Sequence, residues 1–262
     1  MKSQVEPQSE SPLTGALRDR VAIVTGGAGG LGRAIARRFT VAGARVALAD
    51  IRLEAAREAA KELAILGPGA IGLGCDVSRP DDVDALVRDV MSAFGRIDIL
   101  VNNAGFMGRV APLWQLEVED WNAVMAVDLT SVFLVTRAVM PHMRERRRGC
   151  IVSMASIAGK EGTPRLIPYS VAKAGIIAFT KALGKEVVAD GIRVNCVAPG
   201  VVETPLLDQL PPESTQLMLS KVPMGRLGTP DEVAAVVQFL VSDDASFITA
   251  QCFDASGGRA TY

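Results

Sequence analysis

From residue 20 onward, short runs of apolar, β-branched residues alternate with longer stretches in which apolar positions recur every three or four residues. The short runs are Val21–Val24, Arg45–Leu48, Ala70–Leu73, Asp98–Val101, Cys150–Val152 and Arg193–Cys196. Most are apolar at successive positions, which is the pattern of parallel strands covered on both faces. The longer stretches predict helices near residues 30–43, 52–66, 80–94, 117–147 and 169–189. Such βαβ repetition predicts an α/β fold built on one doubly wound parallel sheet with helices on both faces.

No linker interrupts the alternation, so residues 15–262 are expected to form a single domain. Residues 1–14 are polar and contain proline, and are expected to be a disordered tail. They lack the apolar core of a signal peptide and the arginine-rich amphipathic pattern of a transit peptide. Two helix starts are marked. Ser78 lies three residues before Asp81, and Thr229-Pro-Asp-Glu232 carries a capping box with proline in the first turn. A last strand is expected near Cys252–Asp254. The stretch 203–228, with Pro205, Pro211, Pro212 and Pro223, reads as a long irregular loop over a substrate site.

Composition narrows the function classes. The 262 residues are 49% hydrophobic and 22% charged, with net charge −1, which gives no support for nucleic acid or an anionic membrane as partner. The apolar stretch Ala123–Met140 is interrupted by Asp128 and Arg137 and reads as a buried helix that does not span a membrane. The basic run Arg144-Glu-Arg-Arg-Arg148 reads as a solvated helix end complementing the helix dipole. Cys75, Cys150, Cys196 and Cys252 are scattered, with no metal-binding spacing, and predict small core residues in a reducing, cytoplasmic setting. His142 is the only histidine, so no multi-histidine metal site or histidine triad is expected, and it reads as a surface or helix-end residue.

The chemistry concentrates in Pro168-Tyr-Ser-Val-Ala-Lys173, thirteen residues after Ser156. On a helix, positions i and i+4 share a face, so the phenol of Tyr169 and the ammonium of Lys173 point into one space. An ammonium ~5 Å from a phenol, at an effective dielectric of ~20, favours the phenolate by roughly 3 kcal/mol. A phenol so placed can take a proton from an alcohol or return it to a carbonyl.

A second signal is Thr25-Gly-Gly-Ala-Gly-Gly-Leu-Gly32, between the first strand and first helix. It fits both GxGxxG (Gly27, Gly29, Gly32) and GxxxGxG (Gly26, Gly30, Gly32). Glycines there let the backbone approach a pyrophosphate at a helix N-terminus, which makes this a Rossmann-type dinucleotide site. Gly26, Gly30, Leu31 and Gly32 are the expected contacts. Asp50, with Ile51 beside it, ends the second strand, where a carboxylate binds ribose hydroxyls and repels a 2′-phosphate. NAD is therefore expected over NADP, although Arg52 lies close.

Together these residues resemble the short-chain dehydrogenase/reductase family, from about Leu17 to Arg259. The glycine run looks like its TGxxxGxG loop, Asn102-Asn-Ala-Gly105 like its NNAG segment, and Pro199-Gly-Val-Val-Glu-Thr204 like its PG motif. Ser156, Tyr169 and Lys173 match its catalytic serine and YxxxK. The resemblance implies that Asp76 and Val77 hold the adenine, while Asn103, Ala104 and Gly105 line the cofactor cleft. It implies that Lys173 also holds the nicotinamide ribose, beside Tyr169, that the Val202 backbone and the Thr204 hydroxyl fix the carboxamide, and that Pro199 and Gly200 are further cofactor contacts. Ser156 would orient the substrate oxygen. Asp128 stands where the family usually has asparagine, at a helix irregularity beside a proton-relay water. A buried carboxylate is costly alone, so Asp128 is expected to be hydrogen-bonded, protonated or hydrated while serving that relay.

The expected activity is NAD-dependent interconversion of a secondary alcohol and a ketone, with a small-molecule substrate and no metal. A pocket lined by 106–112, 157–167 and 203–228 would mix Phe106, Met107, Leu166, Leu206 and Leu207 with Arg109, Lys160, Glu161 and Arg165. One alternative is an NADPH-dependent carbonyl reductase of 3-oxoacyl groups on acyl carrier protein, using the run 144–148 for docking. Another is a regulator that senses NAD without chemistry, for which an intact serine, tyrosine and lysine set would have no use. The family resemblance also implies a homo-oligomer, commonly a tetramer, for which Ile176, Phe179 and Leu183 would suit either core or interface.

Overall fold

Each apolar run becomes a strand; the fourth is shifted by one residue so that Asp98 falls just before it, and the others are extended by one to three residues at an end. The computed structural model describes residues 15–205, 207 and 212–262, so the expected tail at 1–14 and Leu206 lie outside the described residues. The strands are β1 (Val21–Thr25), β2 (Arg45–Asp50), β3 (Ala70–Gly74), β4 (Ile99–Asn102), β5 (Gly149–Met154), β6 (Ile192–Pro199) and β7 (Cys252–Ala255). They form one parallel sheet in the order β3-β2-β1-β4-β5-β6-β7. The order reverses between β1 and β4, and a crevice opens beyond their carboxyl ends. That is where open α/β sheets bind ligands.

Helices α1 (Gly30–Val41), α2 (Leu53–Ala64) and α3 (Pro80–Phe94) connect the first four strands. After β4 come α4 (Val118–Met125), a π-helical turn (Ala126–Thr130) and α5 (Ser131–Arg146). They join into one helix, Val118–Arg146, long and apolar enough to cross a membrane by length and composition. Its Val135, Val139 and Met143 instead pack into the core formed by one face of the sheet. Helices α6 (Ile157–Glu161) and α7 (Ile167–Val187) follow β5, and α8 (Pro212–Leu219) and α9 (Pro230–Val241) follow β6. Two large apolar clusters, one on each face of the sheet, form the core. Ile176 is buried, and Phe179 and Leu183 pack against core clusters, so the core reading holds for these three.

Some boundaries differ from expectation. Ser78 does not cap α3. Its hydroxyl and N–H both go back to Asp76 Oδ1, at 2.6 and 3.0 Å, and the helix starts at Pro80 after Arg79. A carboxylate two residues away outcompetes the helix for that hydroxyl. The Thr229 capping box forms, with Glu232 N 3.3 Å from Thr229 Oγ1 and Thr229 N 2.8 Å from Glu232 Oε2. Helix α7 starts two residues before Tyr169, with Pro168 in its first turn. The stretch 203–228 is not irregular throughout, because it contains α8. Its base is closed by Glu203 N to Gly228 O (2.9 Å) and Gly228 N to Val201 O (3.0 Å).

The arginine run is not merely solvated. Arg144 and Arg147 reach Asp190, Arg146 approaches Asp98, and Arg148 approaches Asp243. Asp98, fully buried just before β4, accepts from Val21 N and pairs with Arg96. Removing one partner of a buried charged pair typically costs about 3 kcal/mol or more. Asp98→Ala is therefore expected to lower Tm by roughly 6–12 °C in a chain of this size. Thermal unfolding followed by circular dichroism checks this, and a shift near zero would mean that the buried carboxylate contributes nothing.

Candidate active site

The crevice beyond β1 and β4 is fixed by a small polar network. Thr25 Oγ1 accepts the N–H groups of Asn103 (3.0 Å) and Ala104 (3.1 Å), and Asn103 Nδ2 donates to Thr25 O (2.9 Å) and Gly26 O (3.2 Å). Gly26 has φ +60°, and a Cβ there would stand 3.0 Å from Ala104 Cα, so glycine is required on both counts. The loop then turns into the N-terminus of α1; Gly27 N and Ala28 N bond to Ala49 O and Asp50, and first-turn amides such as that of Leu31 remain for an anion. Asp50 is buried behind this loop. Its Oδ2 accepts Ala28 N at 3.2 Å, and its Oδ1 accepts Arg52 N at 3.0 Å and Nε at 3.4 Å.

The second half of the site lies where β5 ends and α7 begins. Ser156 leaves β5 in extended conformation and caps α6, its Oγ accepting Ala158 N at 3.1 Å. The hydroxyl proton stays available to a ligand. Lys173, one turn into α7 from Tyr169, places Nζ 5.3 Å from the Tyr169 ring centroid and 3.1 Å from Met154 O. Its Nζ is also 3.0 Å from Asp128 Oδ2.

Asp128 is fully buried in the π-helical turn, and its Oδ1 accepts Phe106 N at 2.9 Å. Oδ2 has no directed hydrogen bond among the described residues, so its contact with Lys173 is an ion pair off the hydrogen-bond axis. The expectation of a hydrogen-bonded carboxylate is met, with a lysine as counter-ion. Burial pushes the Lys173 pKa down most strongly of any single influence, but Asp128 and Tyr169 together hold it above the ordinary lysine value.

A cavity of about 630 Å³ joins the two halves. Of the residues singled out from sequence, Gly26, Gly30, Leu31, Asp50, Ile51, Asp76 and Val77 line it. Asn103, Ala104, Gly105, Asp128, Ser156, Tyr169, Lys173, Pro199, Gly200, Val202 and Thr204 also line it. Gly32 is the exception. It lies beneath the loop, where a Cβ would collide with Gly26 O, so its part is close packing.

The apolar wall next to Tyr169 is Met107, Leu166, Leu207 and Met218. Arg109, Lys160, Glu161 and Arg165 do not line the cavity, contrary to expectation. The first three turn to Asp120, Asp254 and Arg259, because a nearby opposite charge holds each. Phe106 N, Met154 O and Gly105 carried no sequence signal for their parts around Asp128 and Lys173. A Cβ on Gly105 would stand 2.8 Å from Asp128 Oδ2, so the ion pair itself requires that glycine.

The profile of a protein family described as enoyl-(acyl carrier protein) reductase matches residues 26–260. The chain belongs to the short-chain dehydrogenase/reductase family. It is 44% identical over 252 residues to 2-dehydro-3-deoxy-L-rhamnonate dehydrogenase (NAD(+)) of Sphingomonas sp. strain SKA58, covering 96% of this chain and 100% of that one. It is 43% identical over 246 residues to (2S)-[(R)-hydroxy(phenyl)methyl]succinyl-CoA dehydrogenase subunit BbsD of Thauera aromatica, covering 94% and 98%. The crystal structure of 3-oxoacyl-[acyl-carrier protein] reductase from Brucella melitensis ATCC 23457 superposes with a TM-score of 0.90 at 36% identity, covering 99% and 100%.

The protein is thus an oxidoreductase of this family, acting at CH–OH and ketone groups with a pyridine nucleotide. The chain's own groups fit such a cofactor. The glycine loop leaves room for a pyrophosphate, and the Asp50 carboxylate borders the cavity where an adenosine ribose would sit.

Proposed function

We propose that the protein is an NAD-dependent dehydrogenase of secondary alcohols. The observation that carries this reading is the buried Asp128–Lys173 pair beside Tyr169, opening with Ser156 onto one cavity. When bound, a nicotinamide would supply the hydride acceptor or donor for the carbinol carbon. The chain's residues handle the proton. Ser156 Oγ donates to the substrate oxygen and keeps it within reach of Tyr169. Tyr169 takes the hydroxyl proton in oxidation and returns it in reduction, with the Lys173 ammonium 5.3 Å from its ring centroid. Asp128 holds Lys173 in place through its carboxylate, and its backbone carbonyl would contact the relay water that the family resemblance implies.

In this reading Gly26, Gly30, Leu31 and the α1 N-terminus hold the pyrophosphate, and Asp50 and Ile51 the ribose. Gly32 packs the loop beneath them. Asp76 and Val77 hold the adenine, with Asn103, Ala104 and Gly105 along the cleft, while Lys173 with Tyr169 faces the nicotinamide ribose. The Val202 backbone and the Thr204 hydroxyl fix the carboxamide, with Pro199 and Gly200 as further cofactor contacts. NAD is favoured over NADP because the Asp50 carboxylate would repel a 2′-phosphate, and a similar dehydrogenase carries NAD(+) in its name. The carrier-protein alternative gains support from similarity to a 3-oxoacyl-[acyl-carrier protein] reductase. It loses support at 144–148, where all four arginines lie within reach of carboxylates of this chain.

The four free cysteines suit the cytoplasm. Half-exposed Phe133 on α5 and fully exposed Phe247 suit a homo-oligomer, a tetramer by family analogy, in which one domain spans 15–262.

Cofactor choice is checked by measuring NADH and NADPH dissociation constants in the wild type and in Asp50→Ser. The wild type is expected to bind NADH more tightly. Loss of hydrogen bonds to a charged acceptor should weaken NADH by roughly 10- to 100-fold, while NADPH binding improves as Arg52 is released. Tighter NADPH binding by the wild type would overturn the NAD assignment.

A further inference from the structure

Beyond β7 the chain brings Arg259 to the wall of the cavity. Ser256 donates its hydroxyl to Asp254 and accepts Arg259 N (3.1 Å) and Ala260 N (3.2 Å), which fixes the backbone of the turn. Lys160 Nζ lies 3.2 Å from Asp254 Oδ2, and Tyr262 OH donates to Lys160 O, so the turn is strapped to α6 just past Ser156. Gly257 and Gly258 pack against Val222, Pro223 and Met224, a few residues beyond α8. Arg259 is thereby held between α6 and the segment that carries the apolar wall.

The Arg259 side chain is only 8% exposed, and it lines the cavity. Its Nε and Nη2 both donate to a single oxygen of Glu161, at 3.1 and 2.8 Å. Among the described residues Nη1 has no hydrogen-bond partner, and it is not sealed off from solvent. The other cations on the cavity wall are committed: Lys173 to Asp128, and Arg52 to Asp50. One guanidinium edge therefore stays available on the wall of the cavity that Ser156, Met107, Leu166, Leu207 and Met218 also line, held from α6, which starts just past Ser156.

We infer that the substrate is a secondary alcohol bearing a carboxylate, and that Arg259 binds that carboxylate through its free edge. The inference rests on the dehydrogenase reading and narrows its substrate class. A planar guanidinium held by one acidic partner can accept a second carboxylate on its other edge. Glu161 balances the charge while the site waits. Two similar dehydrogenases carry "rhamnonate" and "succinyl" in their substrate names, which agrees with an acidic group on the substrate.

The test is a set of secondary alcohols, comprising sugar acids, 2-hydroxy acids and 3-hydroxy acids, each offered as the free acid and as its methyl ester. The wild type should turn over the best acid with kcat/KM roughly 10- to 100-fold above its ester, the size of a lost charge-assisted hydrogen bond. Arg259→Ala should raise the KM of the acid until acid and ester are used alike, and Arg259→Lys should restore part of the preference. Glu161→Gln breaks the same ion pair but keeps the guanidinium, so it should retain the preference. Were Arg259 only a brace for α6, Glu161→Gln and Arg259→Ala would impair acid and ester alike, which would overturn the inference. Equal use of esters and acids by the wild type would also overturn it, while leaving the dehydrogenase reading intact. Silence toward every pair, in a protein that still binds NADH, would overturn both.

Discussion

Tyr169→Phe is expected to reduce kcat/KM by roughly 10²- to 10⁴-fold, the range that a positioned general acid/base contributes. The substitution removes one oxygen and little else. The ring packs against the Met107 and Leu166 cluster and lies 5.3 Å from Lys173 Nζ, contacts that phenylalanine keeps. NADH affinity should stay within about threefold of wild type, well under one hydrogen bond to a charged group. Isothermal titration with NADH alongside steady-state rates separates the two effects. Unchanged turnover would remove Tyr169 from the proton-transfer role.

Lys173→Met should affect both stability and activity. Asp128 is fully buried, and the lysine is its only counter-ion within 4 Å among the described residues. Deleting the ammonium leaves an unpaired carboxylate in the core, at a cost of about 3–5 kcal/mol, and removes the positive charge beside Tyr169. Adding Asp128→Asn should return much of the stability, since an amide needs no counter-ion, but none of the turnover. Denaturant unfolding of the wild type, the two single variants and the double variant measures the coupling. Additive effects would mean that the pair is not an energetic unit.

The pH dependence follows from the same pair. Lys173 is held above the ordinary lysine value, so its charge stabilises the fold below that value, and this contribution is lost only as pH rises through the higher folded one. In Asp128→Asn alone, burial is opposed by Tyr169 but no longer by a carboxylate, and the ammonium should titrate lower. The alkaline limb of kcat should then move to lower pH than in wild type. An unmoved limb would show that Asp128 does not set the state of Lys173.

The fold was legible because strands buried on both faces leave short, β-branched apolar runs such as Val21–Val24 between longer helical stretches, and a parallel order follows from βαβ repetition. The glycine loop and the Tyr169–Lys173 spacing were legible because they are local, each set within one turn of chain. What stayed hidden is non-local. Phe106 N reaches Asp128 across 22 residues, and Arg259 reaches Glu161 across 98, so no spacing rule links them. The polar residues expected in the pocket failed for the same reason. Arg109 and Lys160 have carboxylate partners that only the folded chain brings near, and these partners draw them away from the cavity. Gly32 fits the cofactor pattern yet serves packing, because the pattern records where a Cβ is forbidden, not which surface faces a ligand.

The most direct test of the central claim is NADH formation from NAD⁺ and the same set of secondary alcohols, with wild type and Tyr169→Phe run side by side. The account predicts NADH from at least one hydroxy acid with the wild type and almost none with the variant. No reduced nucleotide from either NAD⁺ or NADP⁺ with the wild type, or equal rates in the two proteins, would contradict it.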